Sequence, residues 1–329
     1  MTAGPVLLTG GTDFVGHAVL KRLVARQSAP TLRILVHRSP PALAAGAPVT
    51  HVAGDVTEPS SLEAACDGVH TVLHLANYVG EDAARCDAVN ARGTESLVAA
   101  ARKAGVERIV YVSSAAVYGF AVHRGATEDE VVVAPVTPVS RSRVRAERAV
   151  LDSGGVVLRP LFIYGNGDTR FVPVVLAAMR HLPFLVDRGR ARLSLVAVDD
   201  LAEALVALAA LPAPAWRPGS YHITDGQPVA FRQVVASLAE ILAIPLPRWS
   251  LPYPLARAVV GVARGRSLGA KHGLAAAHRM FLVARDHFYD SSRLWTLLGR
   301  SPGSRFVERI AEYASWYRTQ LSDPGAAVP

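Results

Sequence analysis

Short apolar, β-branched runs alternate with helical stretches through residues 1–160, and this alternation constrains the fold more than any other feature. Strands in such a rhythm pair in parallel, because each helix carries the chain back along the sheet to the start of the next strand. The pattern predicts six strands, at residues 5–8, 33–36, 49–52, 71–75, 108–113 and 156–159, with helices at 15–26, 60–66, 83–104 and 140–152. We therefore expect an α/β fold with a doubly wound parallel sheet covered by helices on both faces.

Beyond Arg159 the chain changes to segments interrupted by proline and glycine. Helices are predicted there at 171–180, 200–208 and 231–242, and a last one at 304–320. We expect a nucleotide-binding core at residues 1–160 and a mainly substrate-binding lobe at 161–321 with elements that return to the core. Residues 322–329 are predicted to form a flexible tail.

Composition narrows the possible functions. Half of the 329 residues are apolar, which excludes a disordered chain. Apolar stretches stay well short of the ~20 residues that span a bilayer, and no leader precedes the first strand, so we expect a cytoplasmic protein without a membrane partner. The formal charge of +8 comes from scattered basic residues, which favours anionic small molecules over nucleic acid. No metal-ligand spacing occurs, and Cys66 and Cys86 are expected to be packing residues.

The first predicted strand runs directly into a glycine-containing loop, Gly10-Gly11-Thr12-Asp13-Phe14-Val15-Gly16, and then into a helix. Backbone N–H groups at a helix start, together with the helix dipole, form an anion site suited to a pyrophosphate. This layout predicts a dinucleotide cradle whose contacts are Gly10, Thr12, Asp13, Phe14, Val15 and Gly16.

Asp13 stands where the spacing asks for the middle glycine of the loop. Its carboxylate could repel a phosphate, since a like-charge contact at ~4 Å costs about 4 kcal/mol at an effective dielectric of ~20. It could instead cap the following helix and occupy the N–H groups that a phosphate would use. A third possibility is that the side chain points away and costs little. The sequence leaves these alternatives open.

A second motif lies at the start of the predicted helix 140–152. It reads Pro138-Val139-Ser140-Arg141-Ser142-Arg143-Val144-Arg145-Ala146-Glu147 and resembles the Pro-Tyr-x-x-Ser-Lys-x-x-Ala-Glu motif of the extended short-chain dehydrogenase/reductases, which include nucleotide-sugar epimerases and dehydratases. Seven further matches follow that family in order and spacing: Gly54-Asp55-Val56, His74-Leu75-Ala76-Asn77, Asn90-x-x-Gly93-Thr94, the stretch 112–119, Leu158-Arg159-Pro160-x-x-x-Tyr164-Gly165, Val198-Asp199-Asp200 and Phe288-Tyr289-Asp290-Ser291-Ser292-Arg293. The resemblance covers nearly the whole chain and implies a Rossmann fold with a smaller C-terminal lobe.

The resemblance also implies a nicotinamide dinucleotide. Asp55 matches the residue that accepts a hydrogen bond from the adenine amine, and Arg143 stands at the position of the lysine that holds the nicotinamide ribose. Beyond the glycine loop, the implied cofactor contacts are Asp55, Val56, Leu75, Ala76, Asn77, Arg143 and Pro160.

The second predicted strand ends in Val36-His37-Arg38, without a carboxylate for a ribose 2′-hydroxyl. Arg38 could hold a 2′-phosphate instead, which would favour NADP over NAD. The alternative is that Arg38 is a solvated loop charge, which an arginine-rich chain makes equally plausible.

The family's proton-transferring tyrosine is replaced by Val139, and its lysine by Arg143. Valine cannot exchange a proton, whereas Arg143 keeps a positive charge and a different donor geometry. Ser114 matches the hydroxyl that polarises a carbonyl in the family, and Tyr118 and Tyr164 are the nearest alternative phenols by topology, each either a relocated acid or a packing or substrate-contact residue. The expected catalytic set is Ser114, Arg143 and Tyr118.

Two function classes follow from these replacements. The first is an atypical NAD(P)-dependent epimerase/dehydratase-like enzyme acting on a small oxygenated metabolite, sugar or polyketide-like, by dehydration, cyclisation or isomerisation. An NADP-dependent oxidoreductase with a relocated proton donor belongs to the same class. The second is a catalytically silent ligand-binding protein. Family members often pair through the helices that correspond to 83–104 and 140–152, so a homodimer is expected by resemblance.

Overall fold

The computed structural model describes residues 4–25, 31–41, 48–265, 273–303 and 305–322. The strands are β1 (Val6–Thr9), β2 (Leu32–Val36), β3 (Val49–Ala53), β4 (Thr71–His74), β5 (Arg108–Val112), β6 (His123–Ala126), β7 (Val156–Arg159), β8 (Phe162–Tyr164), β9 (Phe184–Val186), β10 (Arg192–Leu193), β11 (Leu195–Ala197), β12 (Gly219–His222), β13 (Val229–Ala230), β14 (Trp249–Leu251) and β15 (His287–Tyr289). The α-helices are α1 (Phe14–Ala25), α2 (Pro59–Cys66), α3 (Ala83–Cys86), α4 (Gly93–Lys103), α5 (Pro138–Asp152), α6 (Val172–His181), α7 (Val198–Ala209), α8 (Phe231–Leu242), α9 (Tyr253–Gly265), α10 (Gly273–Ala284), α11 (Ser292–Leu298), α12 (Phe306–Arg309) and α13 (Ala314–Ser322).

The central sheet has seven strands in the order β12-β7-β5-β4-β1-β2-β3, and every pairing in it is parallel. The chain leaves the middle of the sheet at β1, builds one side through β2 and β3, and then returns to build the other through β4, β5 and β7. This reversal of strand order is the doubly wound arrangement, which confirms the expected fold class. All six predicted strands are present.

Helices cover both faces because successive residues of a strand point to opposite sides. Val6 and Leu8 of β1 belong to the apolar core shared with α1 and α7. Leu7 belongs to the opposite core, where it joins Leu62, Leu97 and Val150 from α2, α4 and α5. Strands that are buried on both faces therefore read as continuous apolar runs in the sequence.

The predicted helix 83–104 is interrupted. It consists of α3, a π-helical turn at Asp87–Arg92 and α4. The predicted last helix, 304–320, is likewise divided into α12, a 3₁₀ turn at Ile310–Tyr313 and α13. Single-helix periodicity does not distinguish these wider and tighter turns from α-helix, since apolar spacing changes little over one turn. The predicted tail 322–329 lies outside the described residues from 323 onward, and Ser322 ends α13.

The C-terminal part contributes to both the central sheet and a second core. β12 extends the central sheet beside β7, and α7 packs on α1. A separate apolar core unites α6, α8, α12 and α13 around Tyr164 and Phe306. Within the described ranges, no helix combines the length and apolar content that a membrane crossing requires.

Candidate active site

The glycine loop forms a tight turn at the carboxyl edge of the sheet, between β1 and α1. Gly10 has φ +71, and a Cβ built there would lie 2.6 Å from the backbone nitrogen of Ala76. A Cβ on Gly16 would lie 1.9 Å from the carbonyl oxygen of Gly10. Side chains at either position would fill the turn, so the cradle fits the group that the motif predicts, a backbone-bound pyrophosphate.

Asp13 lies at the entrance to this cradle and is exposed. Its backbone N–H donates to the Gly10 carbonyl (3.1 Å), and its own carbonyl accepts from the His17 N–H (2.8 Å). Among the described residues its carboxylate accepts no hydrogen bond from the first turn of α1. The carboxylate therefore does not serve as the helix cap that the sequence left open. Partial desolvation raises the pKa of Asp13, and Arg170 opposes that rise.

Arg170 is a residue of the site that the sequence reading missed. It follows Gly167, whose Cα packs on Phe14 at the start of α1 so closely that a Cβ there would lie 3.0 Å from the Phe14 ring. Arg170 stands just before α6, in a turn where the Asp168 carboxylate accepts from the N–H groups of residues 170–172, and an aspartate just before a predicted helix was the available signal. The turn brings an exposed guanidinium to the cradle from a distant part of the chain.

Just after β3, Asp55 makes two contacts. One carboxylate oxygen accepts from the Thr57 N–H (2.9 Å), and the other lies 2.9 Å from His37 Nε2. Val56 is buried below it. Arg38 is exposed and makes no ion pair with another described residue. This agrees with both interpretations from the sequence, a ligand for a 2′-phosphate and a solvated loop charge.

The end of β4 is fixed by a buried hydrogen-bond chain. Thr9 Oγ1 accepts from the Leu75 and Ala76 N–H groups and lies 2.7 Å from His74 Nδ1. His74 Nε2 lies 2.9 Å from Thr94 Oγ1, which itself donates to the Asn90 carbonyl. Thr94 has therefore used its only proton, so His74 Nε2 carries the hydrogen and Thr9 donates to Nδ1. Burial lowers the pKa of His74 to about 4 and keeps the imidazole neutral.

Beyond this chain, the loop after β4 meets α5. Asn77 donates from Nδ2 to the Leu75 carbonyl (2.9 Å) and accepts at Oδ1 from Arg143 Nη2 (3.2 Å). The Arg143 Nε is buried and has no hydrogen-bond partner among the described residues. The contact brings two sequence-predicted site residues together and leaves Arg143 with donors to spare.

Asn90 explains the π-helical turn. Its side chain accepts from the Tyr78 N–H (2.6 Å) and donates to the Tyr78 carbonyl (2.9 Å) and to Ser142 Oγ (3.0 Å). The extra residue of a π turn rotates a side chain out of its α-helical direction, here toward the loop after β4. Asn90 thereby holds that loop against α5.

Ser114 begins a short 3₁₀ turn, Ala115–Tyr118, directly after β5. Its hydroxyl oxygen accepts from the Ala116 N–H (3.2 Å), so the hydroxyl proton remains to be donated. The Pro160 carbonyl accepts from the Ala115 N–H (2.9 Å) and fixes this turn to the end of β7. Arg143 is close enough to Tyr111, the third residue before Ser114, to lower that phenol's pKa against the larger effect of burial.

The two alternative phenols point into the protein. Tyr118 is 1% exposed, and its hydroxyl lies 2.6 Å from His222 Nε2 and accepts from Arg159 Nη1 (3.0 Å). Tyr164 is fully buried in the second core. Burial also raises the pKa of Tyr118 to about 12, well above the neutrality that proton transfer favours. Neither phenol is therefore exposed to a substrate at the edge of the sheet.

The structure brings one group of predicted residues to the carboxyl edge of the sheet: Gly10, Asp13, Gly16, Asp55, Ala76, Asn77, Ser114, Arg143 and Pro160. Val139, which stands at the tyrosine position of the motif that the sequence resembles, lies half-buried in the first turn of α5. Among the described residues, no group of three potential ligands is placed to hold a metal ion.

A doubly wound sheet with a glycine cradle, the polar loop after β4 and the serine turn after β5 defines an extended short-chain dehydrogenase/reductase. Residues 7–253 match the model of the 3-beta hydroxysteroid dehydrogenase/isomerase family. The chain belongs to this family.

Three individual proteins illustrate this similarity. The chain is 32% identical to a 3 beta-hydroxysteroid dehydrogenase/Delta 5→4-isomerase of Mycobacterium tuberculosis, over 78% of this chain and 74% of the relative. It is 33% identical to a 4-hydroxy-2-methyl-3-oxo-4-farnesyl-3,4-dihydroquinoline-1-oxide ketoreductase of Stigmatella aurantiaca, over 76% of this chain and 77% of the relative. Among solved structures, a UDP-N-acetylglucosamine 4-epimerase from Methanobrevibacter ruminantium matches with a TM-score of 0.75 at 18% identity, covering 97% of this chain and 100% of the epimerase.

Proposed function

We propose that this protein binds a nicotinamide dinucleotide and acts on an oxygenated, largely apolar metabolite by a reaction in which negative charge develops on a substrate oxygen. The single observation that carries the proposal is the state of Arg143: a half-buried guanidinium, held through one hydrogen bond to Asn77, with a buried Nε that no described residue pairs. An unpaired cationic donor at the carboxyl edge of the sheet stabilises an oxyanion.

The cofactor belongs to the proposal. The cradle at Gly10 and Gly16 accommodates a pyrophosphate, and Arg38 is free to hold a 2′-phosphate, which favours NADP. When bound, such a cofactor supplies hydride transfer. A solved relative, the enzyme WbmH of Bordetella bronchiseptica, is described in complex with NAD⁺ and has a TM-score of 0.74 at 20% identity, covering 96% of this chain and 98% of that one.

The residues of the chain favour chemistry without a phenol. Ser114 retains a hydroxyl proton to donate to a substrate oxygen, and Arg143 stabilises the negative charge there. Val139 offers no proton, and the Tyr118 hydroxyl is used in the interior. Isomerisation next to a carbonyl passes through an enolate: a water molecule takes the proton from carbon and returns it at another position, while Ser114 and Arg143 stabilise the enolate oxygen. Dehydration passes through the same enolate, which expels hydroxide, and the hydroxide leaves as water with the proton taken from carbon.

A deuterium-exchange experiment tests this chemistry. The purified protein is incubated in D₂O with NADPH and either a 3-oxosteroid or a 2-alkyl-3-oxoalkanoate, compounds suggested by the names of relatives. We expect deuterium next to the carbonyl by mass spectrometry, at least about tenfold less with Arg143→Gln or Ser114→Ala. Arg141→Gln, an exposed residue of the same helix, is the matched control. Equal exchange in all four proteins would refute the assignment.

Carbonyl reduction is the second candidate, because relatives are named as dehydrogenase, ketoreductase and reductase. Val139→Tyr combined with Arg143→Lys would restore the family pair. If the native reaction is reduction, NADPH oxidation with the same ketones proceeds in the wild type. If the native reaction is not redox, only the double variant oxidises NADPH.

A further inference from the structure

The turn at residues 165–170 approaches the glycine cradle from outside the nucleotide-binding half of the chain. Asp168, fully buried, accepts hydrogen bonds from the N–H groups of Arg170 (2.7 Å), Phe171 (2.9 Å) and Val172 (2.8 Å). The Tyr317 hydroxyl donates to the same carboxylate (3.2 Å). The backbone of Arg170 is therefore held rigidly, while its side chain is exposed.

The turn rests directly on the N-terminus of α1. Gly167 contacts the Phe14 ring, and Phe14 follows Asp13 in the chain. Arg170 and Asp13 interact electrostatically next to this contact, and Arg143 acts on Arg170 as a like charge. Arg170 thus lies within electrostatic reach of Arg143 and of two carboxylates, Asp13 and Asp168.

The guanidinium of Arg170 is not directly paired within the described residues. The Arg170 guanidinium makes no hydrogen bond or close ion pair with another described residue, although Asp13 and Arg143 are near. Arg143 acts on the Arg170 guanidinium as a like charge, whereas Asp13 and Asp168 favour the charged form of Arg170. An anion bound at the cradle would be attracted by both guanidiniums.

We propose that Arg170 is a ligand of the dinucleotide pyrophosphate and that it offsets the charge of Asp13, so that the loop binds phosphate despite the carboxylate at its middle position. This inference rests on the proposed function and deepens it. A planar guanidinium can donate two parallel hydrogen bonds to phosphate oxygens. Of the alternatives that the sequence left open for Asp13, the proposal selects repulsion of the phosphate, with Arg170 compensating for it.

Calorimetric titration of the purified protein with NADH, NADPH and UDP tests the inference. UDP tests whether Arg170 instead belongs to a site for a nucleotide other than the dinucleotide. We expect Arg170→Gln to weaken NADH and NADPH binding equally, by about tenfold or more. Arg180→Gln, an exposed arginine of α6, is the matched control and should leave both affinities unchanged. The melting temperature should not change in either variant, because the Asp168 contacts use only the Arg170 backbone.

A double-mutant cycle with Asp13→Gly tests the compensation. We expect this change to strengthen binding more in the Arg170→Gln background than in the wild type, because the carboxylate then has no neighbouring cation. Equal effects in both backgrounds, or an Arg170→Gln protein that binds like the control, would overturn the inference while leaving the proposed function intact. An effect on UDP alone would also overturn it. If neither wild type nor Asp13→Gly binds NADH or NADPH, the proposed function itself fails.

Discussion

At the scale of single residues, one buried ion pair holds the back of the site. Arg159 makes two hydrogen bonds to the Glu147 carboxylate (2.7 and 3.1 Å), and both side chains are less than a tenth exposed. Arg159 also donates to Tyr118 (3.0 Å). The pair connects β7 to α5, the helix that carries Arg143. Removing one partner would leave the other charge buried and unpaired.

Glu147→Ala should therefore lower the free energy of unfolding by about 3–5 kcal/mol, measured by urea denaturation. Glu95→Ala, which removes an exposed partner of Arg145, is the matched control and should cost less than about 1 kcal/mol. A loss below about 1 kcal/mol for Glu147→Ala would show that the buried charge is compensated in another way.

At the scale of elements, the site depends on two departures from regular geometry. The turn between β1 and α1 requires glycine at Gly16, and the π-helical turn at Asp87–Arg92 directs Asn90 to the Tyr78 backbone. The glycine spacing was visible in the sequence. The π turn was not, because its purpose is a contact with a residue 12 positions away. Local periodicity describes a helix but not its partners.

Gly16→Ala should separate α1 from the loop, because the added Cβ would lie 1.9 Å from a backbone oxygen. We expect a loss of more than about 2 kcal/mol in unfolding free energy and at least tenfold weaker dinucleotide binding. Gly11→Ala is the control, since its Cβ would meet side chains rather than backbone, Ile34 at 3.1 Å and Leu8 at 3.4 Å. Similar binding by the two variants would mean that the cradle tolerates a wider turn.

At the scale of the whole molecule, strands from the C-terminal part contribute residues to a buried aromatic cluster. β12 brings His222 beside Tyr118, and β15 brings His287 and Tyr289 to the same buried cluster. Burial lowers the pKa of His222 and His287 to about 4, whereas it raises the pKa of Asp225 to about 7. These shifts link the stability of the fold to pH.

Between pH 6.5 and 4 the unfolded chain protonates His287 and the native chain does not, so this residue makes the fold less stable as pH falls. His287→Phe keeps an aromatic ring and removes that proton. We expect the slope of unfolding free energy against pH to decrease in the variant by up to about 1.4 kcal/mol per pH unit within this window.

Asp225→Asn is a control in which the slope of unfolding free energy against pH should change in the opposite direction. The native chain keeps a proton on Asp225 between pH 4 and 7 that the unfolded chain releases, so Asp225 makes the fold less stable as pH rises. The variant should therefore have a steeper rise of stability with pH than the wild type. Urea titrations at pH 4.5, 5.5 and 6.5 measure both slopes. Unchanged slopes would mean that these groups titrate normally in the fold.

The sequence by itself determined the layered sheet, its six core strands, the glycine cradle and the positions of Ser114, Arg143 and Val139. These features depend on local periodicity and on motif spacing, which a chain carries before it folds. Only the tertiary structure decided that Tyr118 hydrogen-bonds to His222, that Asn77 hydrogen-bonds to Arg143 and that Arg170 interacts electrostatically with Asp13. The two residues of each pair are separated by up to 157 positions in the sequence. Such contacts follow from packing rather than from any local pattern.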